Sequence, residues 1–102
     1  MDVALKTRTF WLWTRTIGTY LIVRMPIDPV SQAAEQLGER IRDHRNEQGL
    51  SQEKLAQRCN VHWTFLGQIE RGQRNLRLNN LLKIADGLKV DPGELVRGLK
   101  PQ

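Results

Sequence analysis

Residues Ser51 to Gly72 read SQEKLAQRCNVHWTFLGQIERG. The spacing predicts two short helices joined by a tight turn. Ser51 is placed to cap the first helix by accepting from the free backbone N–H groups of its first turn, and Glu53 and Lys54 follow as helix formers. Leu55, Ala56 and Cys59 share a narrow apolar face. Ala56 is small, as two helices crossing steeply over a short turn require where their axes approach. Asn60 stands at the corner, where the left-handed backbone conformation suits Asn better than most residues. Val61, Leu66 and Ile69 then point inward, while His62, Trp63, Thr64 and Gln68 point outward. A second helix with a polar, hydrogen-bonding outer face at its N-terminus is what the reading of base edges in a major groove demands.

Working outward, the whole chain of 102 residues has room for one domain with a modest core. It contains no apolar run long enough to cross a bilayer as a helix. The formal net charge of +5 favours an anionic partner. A single cysteine excludes an intramolecular disulfide framework and fits a reducing, cytosolic compartment. Cys59 falls on the inward face of its helix and reads as a small buried hydrophobe. Cys59-x-x-His62 with His44 falls short of a four-ligand zinc set. No Ser/His/Asp or paired-carboxylate set shares a face, so neither catalysis nor a cofactor is expected.

Residues 1–29 differ from the rest. They are rich in Thr, β-branched and aromatic residues, including Phe10, Trp11, Trp13 and Tyr20, and are expected to be extended or disordered. Arg8, Arg15 and Arg24 interrupt the apolar stretch, which makes it a poor signal peptide. Two readings stand. Residues 1–24 are either a genuine arm that pairs with a second chain or lies along DNA, or an upstream extension of a reading frame whose natural start is Met25.

From Val30 to Leu99 the pattern is helical with short turns, leaving residues 100–102 as a tail. Ser31 opens helix 1, which runs to Gln48 and stops at Gly49. Helix 2 spans roughly Gln52 to Arg58, and helix 3 roughly His62 to Arg71, closed by Gly72. Helix 4 runs about Leu78 to Gly87, with Leu78, Leu81, Leu82, Ala85 and Leu88 at helical spacing. Asp91 and Pro92 start a short helix 5, Asp as cap and Pro at the first helical position. The fold class expected is all-α, a compact five-helix bundle.

Leu37 to Leu99 resembles the Cro/C1, or XRE, type of helix-turn-helix. The resemblance rests on four local signatures in order: an R-x-x-R helix ending in GLSQEKLA, the turn CNV, the helix ending in IERG, and the tail LLKIADGLKVDPGEL. The segment HWTFLGQIERGQRN is similar to controller proteins of restriction–modification systems and to small stand-alone repressors. The resemblance implies a lambda-repressor-like bundle that binds double-stranded DNA. It implies that Ser51 and Gln52, at the start of helix 2, lie at a phosphate. Trp63, Thr64 and Gln68 match positions facing base edges, with Phe65 adjacent. Arg71, Arg74 and Arg77 match a backbone-contacting surface, and their clustering beside helix 3 supports that reading. Arg45 and Glu70 match a partly buried ion pair tying helix 1 to the end of helix 3.

Three residues depart from the family pattern. Asn60 replaces the commoner Gly at the turn. Gly67 sits mid-helix, where Gly costs about 1 kcal/mol relative to Ala, and is expected to let the helix backbone approach DNA. Trp63 replaces a polar reader. It is read either as packing on a thymine methyl or sugar wall, or as a surface aromatic over helix 5 or a dimer patch.

The expected function is a sequence-specific transcriptional regulator acting as a homodimer on a two-fold-symmetric operator. One recognition helix reads only a few base pairs, so useful specificity takes two copies. Leu95, Val96 and Leu99 on helix 5 are candidates for the dimer patch, with closure of the monomer core as the alternative for Leu95. The competing functional class is an antitoxin-like interaction module that binds a partner protein, with the N-terminal extension as its docking strand.

Overall fold

The computed structural model describes residues 28–101. The readings of residues 1–27, whether arm, docking strand or upstream extension before Met25, lie outside the described residues. Among the described residues five helices follow one another: α1 Gln32–Glu47, α2 Gln52–Cys59, α3 Trp63–Glu70, α4 Leu78–Leu88 and α5 Pro92–Val96. The described residues contain no strand.

Local chemistry sets the ends of these helices. Ser31, Ser51 and Asp91 each cap a helix through the side chain, accepting from the backbone N–H of Ala34 at 3.0 Å, Lys54 at 3.0 Å and Gly93 at 2.8 Å. Gly49 takes φ 68° after α1, and the Leu50 N–H reaches back to the Arg45 carbonyl at 3.0 Å. Asn60 takes the predicted left-handed conformation, φ 58° and ψ 46°, and turns the chain from α2 toward α3.

Helix 4 ends within one residue of the expected end. It continues past Gly87 to Leu88, and Lys89 supplies the left-handed residue, at φ 60°. Gly87 is instead buried where α4 crosses α2. A Cβ there would collide with the Cys59 sulfur, so the absent side chain sets how closely the two helices approach. Gly38 plays the same part between α1 and α3, because its Cβ would overlap the Ile69 and Glu70 carbonyl oxygens.

The core lies between these crossings. Ile41, Leu55, Leu66, Ile84, Leu88 and Leu95 are fully buried, joined by Ala56 and Cys59. Helix α2 packs on both α3 and α4, α1 packs on α3 and α5, and α5 also packs on α4. Arg40 of α1 fastens α5 by donating from Nη1 to the Leu95 and Arg97 carbonyls at 3.1 and 2.7 Å. The entering chain is tied down as well, since the Val30 N–H donates to the Gly72 carbonyl at 2.8 Å.

Of the two readings given for Leu95, the structure has the closure of the monomer core. Leu95 is wholly buried and closes the monomer core over α1, because the short α5 points its one strong anchor inward. It is therefore not a dimer contact, whereas Val96 beside it is 38 % exposed and Leu99 is partly buried. On α4, Leu78 and Leu82 are exposed at 71 % and 43 %. The buried residues of that helix are Ile84, Ala85, Gly87 and Leu88, with Leu81 packed beside them, and Leu78, on the same side as Ala85 but two turns earlier, stands at the exposed N-terminal end of the helix.

Candidate nucleic-acid interface

The N-terminal turn of α3 is exposed at His62, Trp63 and Thr64. His62 lies just outside the helix, as its cap, with Nδ1 accepting from the Thr64 N–H at 3.1 Å. The imidazole also lies over the Trp63 indole, 6.0 Å between ring centroids with planes 24° apart. Trp63 is half exposed and Thr64 is exposed. Leu66 and Ile69, on the opposite face, are buried and hold the helix against the domain.

Gln68 lies one turn further along the outer side and is partly buried. Its Oε1 accepts from Arg74 Nε at 2.9 Å. The Arg74 guanidinium sits 5.3 Å from the centroid of the Phe65 ring. Arg74, expected on the DNA backbone, is thus turned onto the reading helix. Phe65 is partly buried, packs on the core and lies under the Arg74 guanidinium.

At the C-terminal end of α3 a carboxylate is fully buried. Glu70 accepts from Arg45 through two bonds, Nε to Oε2 at 2.7 Å and Nη2 to Oε1 at 3.0 Å. This paired geometry matches a guanidinium fork to a carboxylate. Arg42 approaches Oε1 to 3.8 Å and donates from Nη2 to the Glu70 backbone carbonyl at 2.8 Å. Arg45 further donates to the Leu50 carbonyl at 2.9 Å, so one side chain binds α1, the turn before α2, and α3 together.

Gln52 enters the same cluster, donating from Nε2 to Glu70 Oε1 at 3.0 Å. The first residue of α2 is therefore locked to the last residue of α3. The Arg45–Glu70 pair was expected. The Arg42 and Gln52 contacts were not, although Arg42 stands one helical turn before Arg45 on the same face of α1.

Gly67 borders this arrangement. A Cβ at Gly67 would lie 3.3 Å from Arg71 Nη1 and 3.5 Å from Gln52 Oε1. The notch lies beside Gln52 and Arg71, two of the residues expected at phosphates. Ser51 at the start of α2 is exposed, its oxygen already accepting from Lys54. Arg71 and Arg77 are exposed on either side of the loop after α3. Cys59 takes no part in this surface. Burial, reinforced by Asp86 and opposed by Arg58, pushes its thiol up to about 11.

The helix-turn-helix family model HTH_3 matches residues 41–95, from the middle of α1 to α5. Control protein C.BamHI of Bacillus amyloliquefaciens is 43 % identical over 60 residues, which cover 58 % of this chain and 74 % of that protein. Control protein C.SmaI of Serratia marcescens is 40 % identical over 68 residues, 65 % of this chain and 81 % of the relative. The crystal structure of the restriction-modification controller protein C.AhdI from Aeromonas hydrophila matches with a TM-score of 0.60 at 44 % identity. That match covers 61 % of this chain and 94 % of that one. With five helices in this order and the α2–Asn60–α3 corner at its centre, the chain belongs to the HTH_3 family of helix-turn-helix proteins, of the Cro/C1 (XRE) type.

Proposed function

We propose that this chain is a sequence-specific, double-stranded DNA-binding transcriptional regulator of the restriction–modification controller kind, acting as a homodimer. The observation that carries this reading is the outer side of α3. Trp63 and Thr64 stand exposed at its start and Gln68 one turn on, flanked by Gln52, Arg71 and Arg77. Polar side chains on a protruding helix are what the major groove accepts, and cations beside it meet the phosphates that border the groove.

Division of labour follows from chemistry. Arg71 and Arg77 neutralise phosphates, and the start of α2 offers its free N–H groups, the Ser51 hydroxyl and the Gln52 amide to another. These contacts fix register and weaken as salt rises, because counterions released on binding are paid back less at high concentration. Base choice falls to α3. Thr64 supplies a hydroxyl and a methyl, and Trp63 brings one N–H and a broad apolar face suited to a thymine methyl or the sugar wall. Two copies on a two-fold-symmetric operator, with half-sites about one helical turn apart, multiply the few base pairs read by each α3.

Methylation interference tests the groove assignment. Guanines methylated at N7, which projects into the major groove, should be depleted from protein-bound duplexes at two positions related by symmetry. Interference from adenine N3 methylation in the minor groove, with none from N7, would sink it.

A further inference from the structure

The bond between Arg74 and Gln68 determines what α3 presents to a base. A guanidinium has donors only, so the Gln68 atom that faces Arg74 Nε must be the carbonyl oxygen. The amide nitrogen, with its two N–H groups, is thereby directed to the other side. The arrangement is held at both ends. The loop carrying Arg74 begins with the Gln73 N–H donating to the Gln68 backbone carbonyl at 2.9 Å. The guanidinium also lies against Phe65, which stands three residues before Gln68 on the same helical face. Neither side chain has to be ordered anew when DNA arrives.

We propose that Arg74 and Gln68 form one preset recognition unit for guanine, in which Arg74 is a specificity residue and not a uniform backbone contact. This rests on the reading of α3 as a major-groove reader. With Nε engaged, both terminal nitrogens of Arg74 are unbonded among the described residues, and Gln68 adds its amide N–H groups, so the pair presents mostly donors. Guanine is the base whose major-groove edge offers two acceptors, N7 and O6, and no donor. Adenine and cytosine each bring an exocyclic amino donor toward the same groups, and thymine offers a single acceptor beside a methyl. A lone Gln is suited to adenine through its oxygen and nitrogen together. Arg74 holds one lone pair of that oxygen and shifts the balance toward guanine.

The test uses the full chain and the variants R74K, R74A, Q68A and Q68A/R74K. Each is titrated with the operator selected by the wild type, and with the four single-base versions of the base pair at which Q68A loses its preference. Wild type should favour guanine there by about tenfold or more. R74K keeps the charge but lacks the planar fork that lies on Phe65. It should lose most of that preference while discrimination elsewhere in the operator persists, and the double variant should lose no more than either single one. The proposal is overturned if R74K retains the guanine preference, if R74A weakens all four duplexes equally, or if the preferred base is adenine. An independent measurement needs no DNA. The Arg74 Nε–H resonance should be protected from exchange in wild type and unprotected in Q68A, and equal exchange in the two overturns the preset unit. Failure to select any operator would remove the groove reading itself, whereas an operator with an unaltered R74K profile removes only the Arg74–Gln68 unit.

Discussion

Glu70 has 1 % of its side chain exposed and is satisfied by Arg45, Gln52 and, more distantly, Arg42. Removing one partner from such a site leaves a buried charge short of compensation, which costs roughly 3–5 kcal/mol. Arg45→Met should therefore lower the unfolding free energy by about 3 kcal/mol, the low end, because Gln52 and Arg42 remain. Urea unfolding followed by far-UV circular dichroism reads this directly, and a loss below 1 kcal/mol would contradict it. Cys59 makes a second prediction at this scale. Its thiol is pushed up to about 11 in the fold, so the unfolded chain loses this proton at lower pH than the native one. Stability gained from the neutral thiol is full below the ordinary cysteine value and is lost as pH rises through it toward 11. Alkylation at pH 8 should accordingly be slow in native protein and rapid in urea. The family pattern made Arg45 with Glu70 legible in the sequence. The contacts of Arg42 and Gln52 with Glu70 were not legible, because only the crossing of α1, α2 and α3 brings the two side chains to one carboxylate.

The helices meet through glycines, and here the sequence was only partly readable. Asn60 could be assigned its left-handed turn from its own chemistry, and the caps Ser31, Ser51 and Asp91 from theirs. Gly87 shows in the sequence only as a residue at the end of the helical spacing of α4. Its true role, making room for Cys59, depends on a neighbour 28 positions away in the chain and leaves no local trace. At Gly67 the neighbours are Arg71, one turn on, and Gln52, fifteen positions earlier in the chain, and only the second is beyond the reach of local pattern. Gly38 gives the sharpest test of close helix approach. A methyl there overlaps backbone carbonyls of α3, which cannot rotate away as a side chain would. Gly38→Ala should cost at least 1–3 kcal/mol, the usual range for overpacking, despite the better helix propensity of Ala. A thermal melt showing equal or greater stability would mean that α1 and α3 stand further apart than described.

For the whole molecule, the central question is how one small domain achieves specificity. The sequence placed the reading helix and the five-helix frame correctly, because hydrophobic spacing and capping are local signals. It leaves open which apolar residues turn inward, since Leu78 and Leu82 share their helical spacing with the buried Ala85 and Leu88 on α4, and the five residues of α5 are too few for a period to orient Leu95. The exposed Leu82 and Val96, on the mutually packed α4 and α5, are the residues we propose for contact between two copies. Val96→Asp and Leu82→Asp should each shift sedimentation from dimer to monomer with helical content unchanged. A dimer that survives both would place the interface elsewhere. The account as a whole is tested most directly by selection of bound sequences from random DNA duplexes with the full chain. It predicts enrichment of a two-fold-symmetric sequence with half-sites about one helical turn apart. A bound pool no richer in any sequence than the starting library would contradict it.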